Sequence, residues 1–364
     1  MNAAFTLLLF ALGILLLLAG ASRLMTPGFA NGGPSGDFAT VNATRMHFVR
    51  RPAGPDADLP PMVFIHGASG NLRDPFGAFA KVLDGRGEML FVDRPGHGWS
   101  ERGPQDNANP AGQADTVAAL MTELGIGRAV IVAHSFGGAI AAALAVNHPE
   151  AVAGLVLLSP ATHPWPGGRT TWYYHLTEKP VIGWLFSETL APVAGRLRLP
   201  AATRCVFSPN RAPEGYERDA AISLVLRPAA FRRNAEDVAG LYDHVARFAP
   251  RYREIAAPTV IVTGDSDTVV AEEIHSIGLA RDIPHAQLLW LKNLGHKPDY
   301  VATDLAVAAI ETVSGEPRDL SAIARRVEQR IAGDRFGPYE RCADDRLAVL
   351  PDEAELETLQ QPLK

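Results

Sequence analysis

The sequence has 364 residues, which suits two or three domains of ordinary size or one large α/β domain with insertions. Hydrophobic residues make up 47% and charged residues 20% of the chain, and this balance excludes a disordered or fibrous protein. The net charge is −6 and no basic block occurs, so the composition argues against nucleic acid as a partner.

Residues 2–22 form a continuous apolar segment without a charged side chain. About 20 apolar residues in a helix span a hydrocarbon core of roughly 30 Å, so the segment predicts a single transmembrane anchor within residues 1–24. A cleaved signal peptide is the alternative, because Ala19-Gly20-Ala21 resembles a small-residue cleavage site. The anchor is favoured, since the segment begins without Lys or Arg and exceeds the usual apolar region of about 7–15 residues.

The charges around this segment predict its orientation. The first basic residue near it is Arg23, on its C-terminal side, and the positive-inside rule then favours a cytoplasmic location for the body of the chain. The signal-peptide alternative instead implies a secreted or periplasmic protein. Residues 25–37 are rich in Gly, Pro and Ser, which predicts a flexible linker.

From residue 38 the chain alternates strand-like and helix-like stretches, the pattern of a mostly parallel sheet with helices on both faces. The predicted strands are continuous apolar runs, as expected for strands that are buried on both faces. They lie near 38–41, 44–49, 62–65, 89–92, 129–132, 152–158, 259–262 and 287–290. The first two runs predict a hairpin. The predicted fold class is α/β, with its core in residues 38–159 and 256–314.

Two regions depart from this alternation. Residues 160–255 contain three of the five tryptophans and predict a helical cap inserted over one end of the sheet. Residues 315–364 form an extension with 19 charged residues in 50. Within it, one stretch has apolar residues at helical spacing, which predicts an amphipathic helix. These residues are Leu320, Ile323, Ala324, Val327 and Ile331.

A serine lies at a predicted strand-to-helix turn. The strand ending at Ala133 runs into His134-Ser135-Phe136-Gly137, which matches the pattern G-x-S-x-G with Ala133 in place of the first Gly. Small flanking residues allow a sharp turn that lifts the hydroxyl above the sheet, and the following helix offers free N–H groups. The alternative is an ordinary serine that caps a helix.

An acid and a base follow two later strands. Asp267 lies in a turn after the strand at 259–262, and His296 lies after the strand that begins at 287. A serine hydroxyl needs a base to become a nucleophile, and the base needs an orienting acid. Upstream, His66-Gly67-Ala68 follows a strand at the place where a second oxyanion-binding N–H is required. Asp265 and His66 are interpreted as structural residues of their turns.

With these residues in the chain order Ser, Asp, His, the sequence resembles the α/β-hydrolase fold family over about residues 38–314. A fourth motif, Asp93-Arg94-Pro95-Gly96-His97-Gly98-Trp99-Ser100, strengthens the resemblance. The resemblance implies Ser135 as nucleophile, His296 as general base and acid, and Asp267 as the orienting carboxylate. It also implies the backbone N–H groups of Ala68 and Phe136 as the oxyanion hole, and residues 160–255 as a cap domain.

The resulting prediction is a membrane-anchored serine hydrolase that cleaves a carboxylic ester of an apolar small-molecule or lipid-like substrate. The same triad also serves C–C bond hydrolases, peptidases, thioesterases and cofactor-free perhydrolases, so these activities stay open. A non-catalytic, membrane-tethered binding module is the alternative of another class. No cofactor or metal is predicted, because the sequence has no nucleotide-binding or zinc motif and its two cysteines form no CxxC pair.

Overall fold

The computed structural model describes residues 3–25, 33–168 and 170–337. Most of the predicted linker and residues 338–364 of the predicted extension lie outside these ranges. Within them, eight strands form one sheet. The strands are β1 (Asp37–Val41), β2 (Thr44–Arg51), β3 (Met62–Ile65), β4 (Met89–Val92), β5 (Ala129–His134), β6 (Val152–Leu158), β7 (Thr259–Gly264) and β8 (Gln287–Leu291).

The strands of this sheet have the order β1-β2-β4-β3-β5-β6-β7-β8. β1 and β2 form an antiparallel hairpin, as the sequence predicts, and β2 also pairs antiparallel with β4. All other neighbours pair in parallel. The carboxyl ends of strands β3 to β8 therefore meet at one edge of the sheet, which is where open α/β sheets bind ligands.

Alternate side chains of the central strands are buried on opposite faces of the sheet. In β3, Met62 and Phe64 pack on one face, whereas Val63 and Ile65 pack on the other. All four are fully buried. A strand that is covered on both faces has no polar side, which explains its continuous apolar sequence. The predicted mostly parallel α/β sheet is confirmed.

Helices cover both faces of the sheet and also fill an insertion between β6 and β7. The helices are α1 (Ala3–Met25), α2 (Arg73–Phe79), α3 (Pro110–Glu123), α4 (Phe136–Asn147), α5 (Trp172–Thr177), α6 (Pro180–Phe207), α7 (Tyr216–Asp219), α8 (Pro228–Phe248), α9 (Glu272–Asp282), α10 (Pro298–Val301), α11 (Thr303–Val313) and α12 (Leu320–Ile331). Side chains of α3, α4 and α9 are buried on one face of the sheet. Those of α2, α11 and α12 are buried on the other.

Helix α12 is the helix predicted in the charged extension, and it packs on the core. Its N-cap is Asp319, whose carboxylate accepts the N–H of Ala322. Leu320, Val327 and Ile331 are buried in the cluster that also contains side chains of α11. The predicted amphipathic helix is confirmed, and it forms part of the helical cover of the sheet.

The insertion between β6 and β7 contains helices α5 to α8, and none of its described residues belongs to a strand. Polar contacts tie it to the sheet. Asp237 of α8 lies 3.0 Å from Nη1 of Arg94 and 2.6 Å from Nη2 of Arg102, both of which follow β4. Asn234 of α8 accepts the N–H of Ser69, which follows β3, at 2.6 Å. These contacts fix the insertion next to the edge of the sheet where the parallel strands end.

The apolar N-terminal segment forms α1, which packs against α6 of the insertion. Across the part of the chain that the structure describes, no helix has both the length and the apolar character required to cross a membrane. The predicted transmembrane anchor over residues 2–22, and the anchored location inferred from it, therefore have no support in the structure. The prediction treated the segment as an isolated helix, whereas in the fold it has a protein neighbour.

Candidate active site

Ser135 lies at the sharp turn between β5 and α4. Its backbone has φ +53° and ψ −120°, a strained conformation for a residue with a side chain. Its N–H donates to the carbonyl of Leu158 at 3.0 Å, which holds the turn on the neighbouring strand. A side chain at Gly137 would meet the Ile65 carbonyl at 2.6 Å. Close packing of the turn against β3 therefore requires a residue without a side chain at Gly137.

Asp267 and His296 are brought together from two adjacent strands. Asp267 follows β7, His296 follows β8, and Oδ2 of the aspartate lies 2.7 Å from Nδ1 of the imidazole. The other carboxylate oxygen, Oδ1, accepts the N–H groups of Val269 and Val270 at 2.9 and 3.0 Å. The carboxylate is thereby fixed in orientation. An imidazole that donates its Nδ1–H to this carboxylate leaves Nε2 as an acceptor.

Asp265 has a separate position in the same turn. Its Oδ1 accepts the N–H of Asn293 at 2.7 Å and the hydroxyl of Ser266 at 2.9 Å. Asn293 has φ +59° and lies three residues before His296. Asp265 therefore supports the loop that carries the imidazole, whereas Asp267 contacts the imidazole itself.

His134 forms a hydrogen bond to the loop that carries His296, and the sequence does not predict this contact. Burial lowers the pKa of His134 well below its ordinary value, so the ring is neutral. Its single N–H is on Nε2, which donates to the carbonyl of His296 at 2.7 Å. The two rings lie 4.8 Å apart between centroids. The residue before Ser135 thus holds the backbone of His296 in place.

A buried lysine stands next to His296 in the sequence. Nζ of Lys297 lies 2.8 Å from Oδ2 of Asp74 and 2.8 Å from Oδ2 of Asp299. Burial opposes the charge on Lys297, but the two carboxylates hold its pKa above the ordinary value. Burial raises the pKa of Asp299 to about 6. The hydroxyl of Tyr216 donates to the other oxygen of Asp74 at 2.9 Å.

Asp74, His134 and Asp299 have ligand atoms within 4.8 Å of one another, a spacing that a metal ion could bridge. The ammonium group of Lys297 already lies between the two carboxylates. It supplies the positive charge that a cation would bring, and it can direct its N–H groups at both carboxylates. The arrangement fits a lysine-centred ion cluster better than a metal centre.

The loop after β3 is held rigidly beside the turn of Ser135. Burial lowers the pKa of His66 well below its ordinary value, and the neutral ring accepts the N–H of Arg94 on Nε2 at 3.1 Å. Its Nδ1–H donates to the carbonyl of Gly67 at 2.8 Å. In the described part of the chain, the N–H groups of Ala68 and Phe136 donate to no other group. Both are available to bind an anionic oxygen.

A buried charge network connects this loop to the insertion. Arg94 has no solvent exposure, and its guanidinium contacts the Gly67 carbonyl, the side chain of Asp237 and the ring of Phe136. Burial raises the pKa of the Asp237 carboxyl, and the nearby guanidinium groups of Arg102 and Arg94 oppose this rise. The position of the candidate oxyanion loop therefore depends on an aspartate of the insertion.

Comparisons with known proteins agree with this architecture. The family model described as alpha/beta hydrolase fold matches residues 60–298. The chain is 28% identical over 264 residues to the sn-1-specific diacylglycerol lipase ABHD11 of Mus musculus, covering 66% of this chain and 76% of that one. It is 26% identical over 245 residues to the 2-hydroxymuconate semialdehyde hydrolase of Pseudomonas putida, covering 65% and 80%.

A solved structure shows the same fold. The esterase of Thermogutta terrifontis has a TM-score of 0.60 and 20% sequence identity to this chain, covering 77% of this chain and 100% of that one. The match of the family model spans most of the chain, including the Ser135 turn, Asp267 and His296. The chain belongs to the α/β-hydrolase fold family.

Proposed function

We propose that the protein is a serine hydrolase that cleaves a carboxylic ester through an acyl-enzyme on Ser135. The observation that carries the proposal is the 2.7 Å contact between His296 Nδ1 and Asp267 Oδ2, at the sheet edge where Ser135 occupies a strained turn. Strained backbone is retained where the surrounding structure enforces it, and such positions cluster at active sites. A non-catalytic binding module would have no physical need for this arrangement.

In the proposed first half-reaction, Nε2 of His296 accepts the proton of the Ser135 hydroxyl as its oxygen attacks the ester carbonyl. Asp267 stabilises the imidazolium that forms and keeps the ring in the required orientation. The proton then passes from His296 to the oxygen of the leaving alcohol, and the C–O bond breaks. Ser135 is left as an ester of the acyl group.

In the second half-reaction, His296 accepts a proton from water, and the hydroxide oxygen attacks the acyl carbon. The proton returns to the Ser135 oxygen as the acid leaves. In both halves a negatively charged oxygen develops on the carbonyl, and we assign the N–H groups of Ala68 and Phe136 to bind it. Removing one such donor typically costs about 10²–10³ in kcat.

The contacts of the insertion support an apolar substrate. Tyr173 and Tyr174 of α5 belong to an apolar cluster with α8, and Ala68 packs against this cluster. The candidate oxyanion loop therefore has an aromatic wall on the side of the insertion. Apolar and aromatic walls supply most of the contact in small-molecule sites. We infer a preference for apolar acyl or alkyl groups, which is consistent with the lipase among the relatives.

C–C bond hydrolysis is the second candidate, because the similarity to 2-hydroxymuconate semialdehyde hydrolase covers 80% of that enzyme. The same triad could serve both reactions. They differ in the leaving group, which is an alkoxide in an ester and a carbanion stabilised by a neighbouring carbonyl in C–C cleavage. Substrate preference therefore distinguishes the two.

The test compares two substrate series with the purified protein: p-nitrophenyl esters of increasing acyl length, and a vinylogous 1,5-diketone acid. We expect ester turnover that rises with acyl length and is abolished in Ser135→Ala. Ser314→Ala is the matched control, because the Ser314 hydroxyl donates to the carbonyl of Ile310 at the end of α11 and lies far from the Ser135 turn in the sequence. Turnover of the diketone acid alone would favour the second candidate. Activity on neither series would contradict both.

A further inference from the structure

Exposed apolar side chains are concentrated on three neighbouring helices. Of the thirteen large apolar side chains that are exposed in the described part of the chain, eleven lie on α1, α5 and α6. The two others are Val82 and Phe336. Helix α6 packs against both α1 and α5, so the three helices are continuous in the fold. We call their exposed side chains the apolar cap surface.

The spacing on two of these helices shows that the exposure follows helix faces. On α1 four of the five exposed large apolar residues, Phe10, Ile14, Leu17 and Leu24, are separated by four, three and seven positions, which places them on one side, whereas Phe5 lies on another. The second half of α6 has a similar stripe, spaced by four, three, four and three positions. Its exposed apolar members are Leu190, Ala194, Leu197 and Ala201, and Arg204 follows them at the same spacing. Leu24 and Leu197 are 91% and 76% exposed.

The charges near the apolar cap surface are mostly positive, and the two acidic residues there are paired: Glu178 lies 3.6 Å from His175, and Glu188 lies 2.9 Å from Arg232. The chain as a whole carries −6, yet residues 189–213 contain no Asp or Glu. Arg196, Arg198 and Arg204 are exposed on α6 and form no ion pair with the residues that the structure describes. Arg23 is the only charged residue of α1, and it is also exposed. The surface is therefore apolar and basic.

We propose that the apolar cap surface docks on the anionic surface of a phospholipid bilayer. Leucine and tryptophan side chains bury in the boundary between headgroups and acyl chains, while arginines bind the negative headgroups. Trp172 and Trp184 are 68% and 53% exposed, and their amphipathic rings suit this boundary. A soluble partner protein of acidic surface would fit the arginines but gives no reason for apolar stripes on two separate helices.

The position of this surface would bring the site near the bilayer. The same insertion that carries α5 and α6 is tied through Asn234 and Asp237 of α8 to the loop beside Ser135. An apolar substrate dissolved in the bilayer would then have a short path to the site. This consequence rests on the proposed hydrolase function, whereas the docking itself does not.

The experiment measures co-flotation of the full chain with vesicles of phosphatidylcholine alone and of phosphatidylcholine with phosphatidylglycerol. The protein carries Ser135→Ala, so binding is measured without catalysis and independently of the proposed function. We expect binding to the mixed vesicles that weakens with salt. Trp184→Glu with Leu197→Glu should weaken it by about tenfold or more, since charged groups are expelled from the apolar boundary. Arg196→Glu with Arg198→Glu should weaken binding to the mixed vesicles by about fivefold or more for each arginine replaced.

Two control variants have matched chemistry at other places. Val82→Glu charges an exposed apolar residue outside the surface, and Arg325→Glu with Arg326→Glu reverses two exposed arginines on α12. Both should bind like the parent. Thermal melting checks that every variant is folded. Quenching of tryptophan fluorescence by brominated lipid tests the docking in protein whose apolar cap surface carries no substitution.

Three outcomes would overturn the proposal. The first is unchanged binding of Trp184→Glu with Leu197→Glu. The second is equal binding to neutral and anionic vesicles. The third is a lipid-free dimer that becomes a monomer in the same double variant, which would assign the surface to a second copy of the chain.

Discussion

The sheet core and the insertion between β6 and β7 are stabilised by different means. In the core, strands such as β3 and β5 bury side chains on both faces, and the helices that cover them contribute further apolar side chains. The insertion is instead fixed beside the site by buried polar contacts, chiefly Asp237 with Arg94 and Arg102. Its helices α5 and α6 leave large apolar side chains exposed.

This difference in stabilisation implies a difference in rigidity between the sheet core and the insertion. Apolar packing is close to rigid, and it positions the strand ends that carry Ser135, Asp267 and His296. A buried ion pair stabilises little on balance, but breaking it by removing one partner is costly. The core can therefore hold the strand ends in fixed positions, while the insertion depends on a few contacts for its position beside them.

The largest expected effect is in the core, at the acid turn. Asp267→Asn should lower kcat by about 10⁴, because the amide favours the wrong imidazole tautomer. Asp265→Asn is the control, since Asp265 contacts Asn293 and Ser266 but not His296. It should cost far less. Steady-state kinetics of both variants on one ester is the measurement, and equal losses would show that the orienting carboxylate is misassigned.

The second effect concerns the charged cluster behind His296. Lys297→Met leaves Asp74 and Asp299 buried without a cation, and the free energy of unfolding should fall by about 3–5 kcal/mol. Lys292→Met in the same loop is the control, because the side chain of Lys292 is exposed. Its effect should stay within about 0.5 kcal/mol. Urea unfolding measures both, and similar midpoints for the two variants would exclude a role for the cluster in holding this loop.

The third effect tests the attachment of the insertion. Asp237→Asn weakens two buried ion pairs but keeps a hydrogen-bonding side chain, so unfolding should become easier by about 1.5–3 kcal/mol. Glu254→Gln is the control, because its exposed pair with Arg251 lies outside this network, and it should cost far less. Hydrogen exchange should become faster in α6 and α8 of the aspartate variant and stay unchanged in the central strands. Uniformly faster exchange would mean that core and insertion unfold as one unit.

The last effect is a pH dependence in the core. Burial, followed by the charge of Asp267, raises the pKa of Glu272 to about 9, against 4.5 in the unfolded chain. Between these values the folded state retains a proton that the unfolded state has released, so stability falls as pH rises. Glu272→Gln removes this loss of stability with rising pH. Its melting temperature should therefore exceed that of the parent by an amount that grows from pH 5 to pH 9. Glu273→Gln is the control, and a constant difference in melting temperature across this range would contradict the assignment.

The parts of the fold that depend on residues close together in the sequence could be predicted from it. The apolar runs of β3 to β8, the turn at Ser135 and the capped helix α12 each depend on local composition and spacing. The Lys297 cluster could not be predicted, because Lys297 and Asp74 are 223 positions apart and no local pattern connects them. His134 was missed for a similar reason, since its partner is a backbone carbonyl 162 positions away. The contact of the N-terminal segment with α6 could not be predicted either, because α6 is distant in sequence.

The most direct test of the proposed function is to identify the acyl group on the enzyme. A slowly hydrolysed p-nitrophenyl ester is mixed with the protein, the reaction is quenched with acid in the first turnover, and peptides are analysed by mass spectrometry. We expect a burst of one p-nitrophenol per enzyme and an acyl adduct on the peptide that contains Ser135. Ser135→Ala should show neither. An adduct at another residue, or turnover that persists in Ser135→Ala, would contradict the serine mechanism.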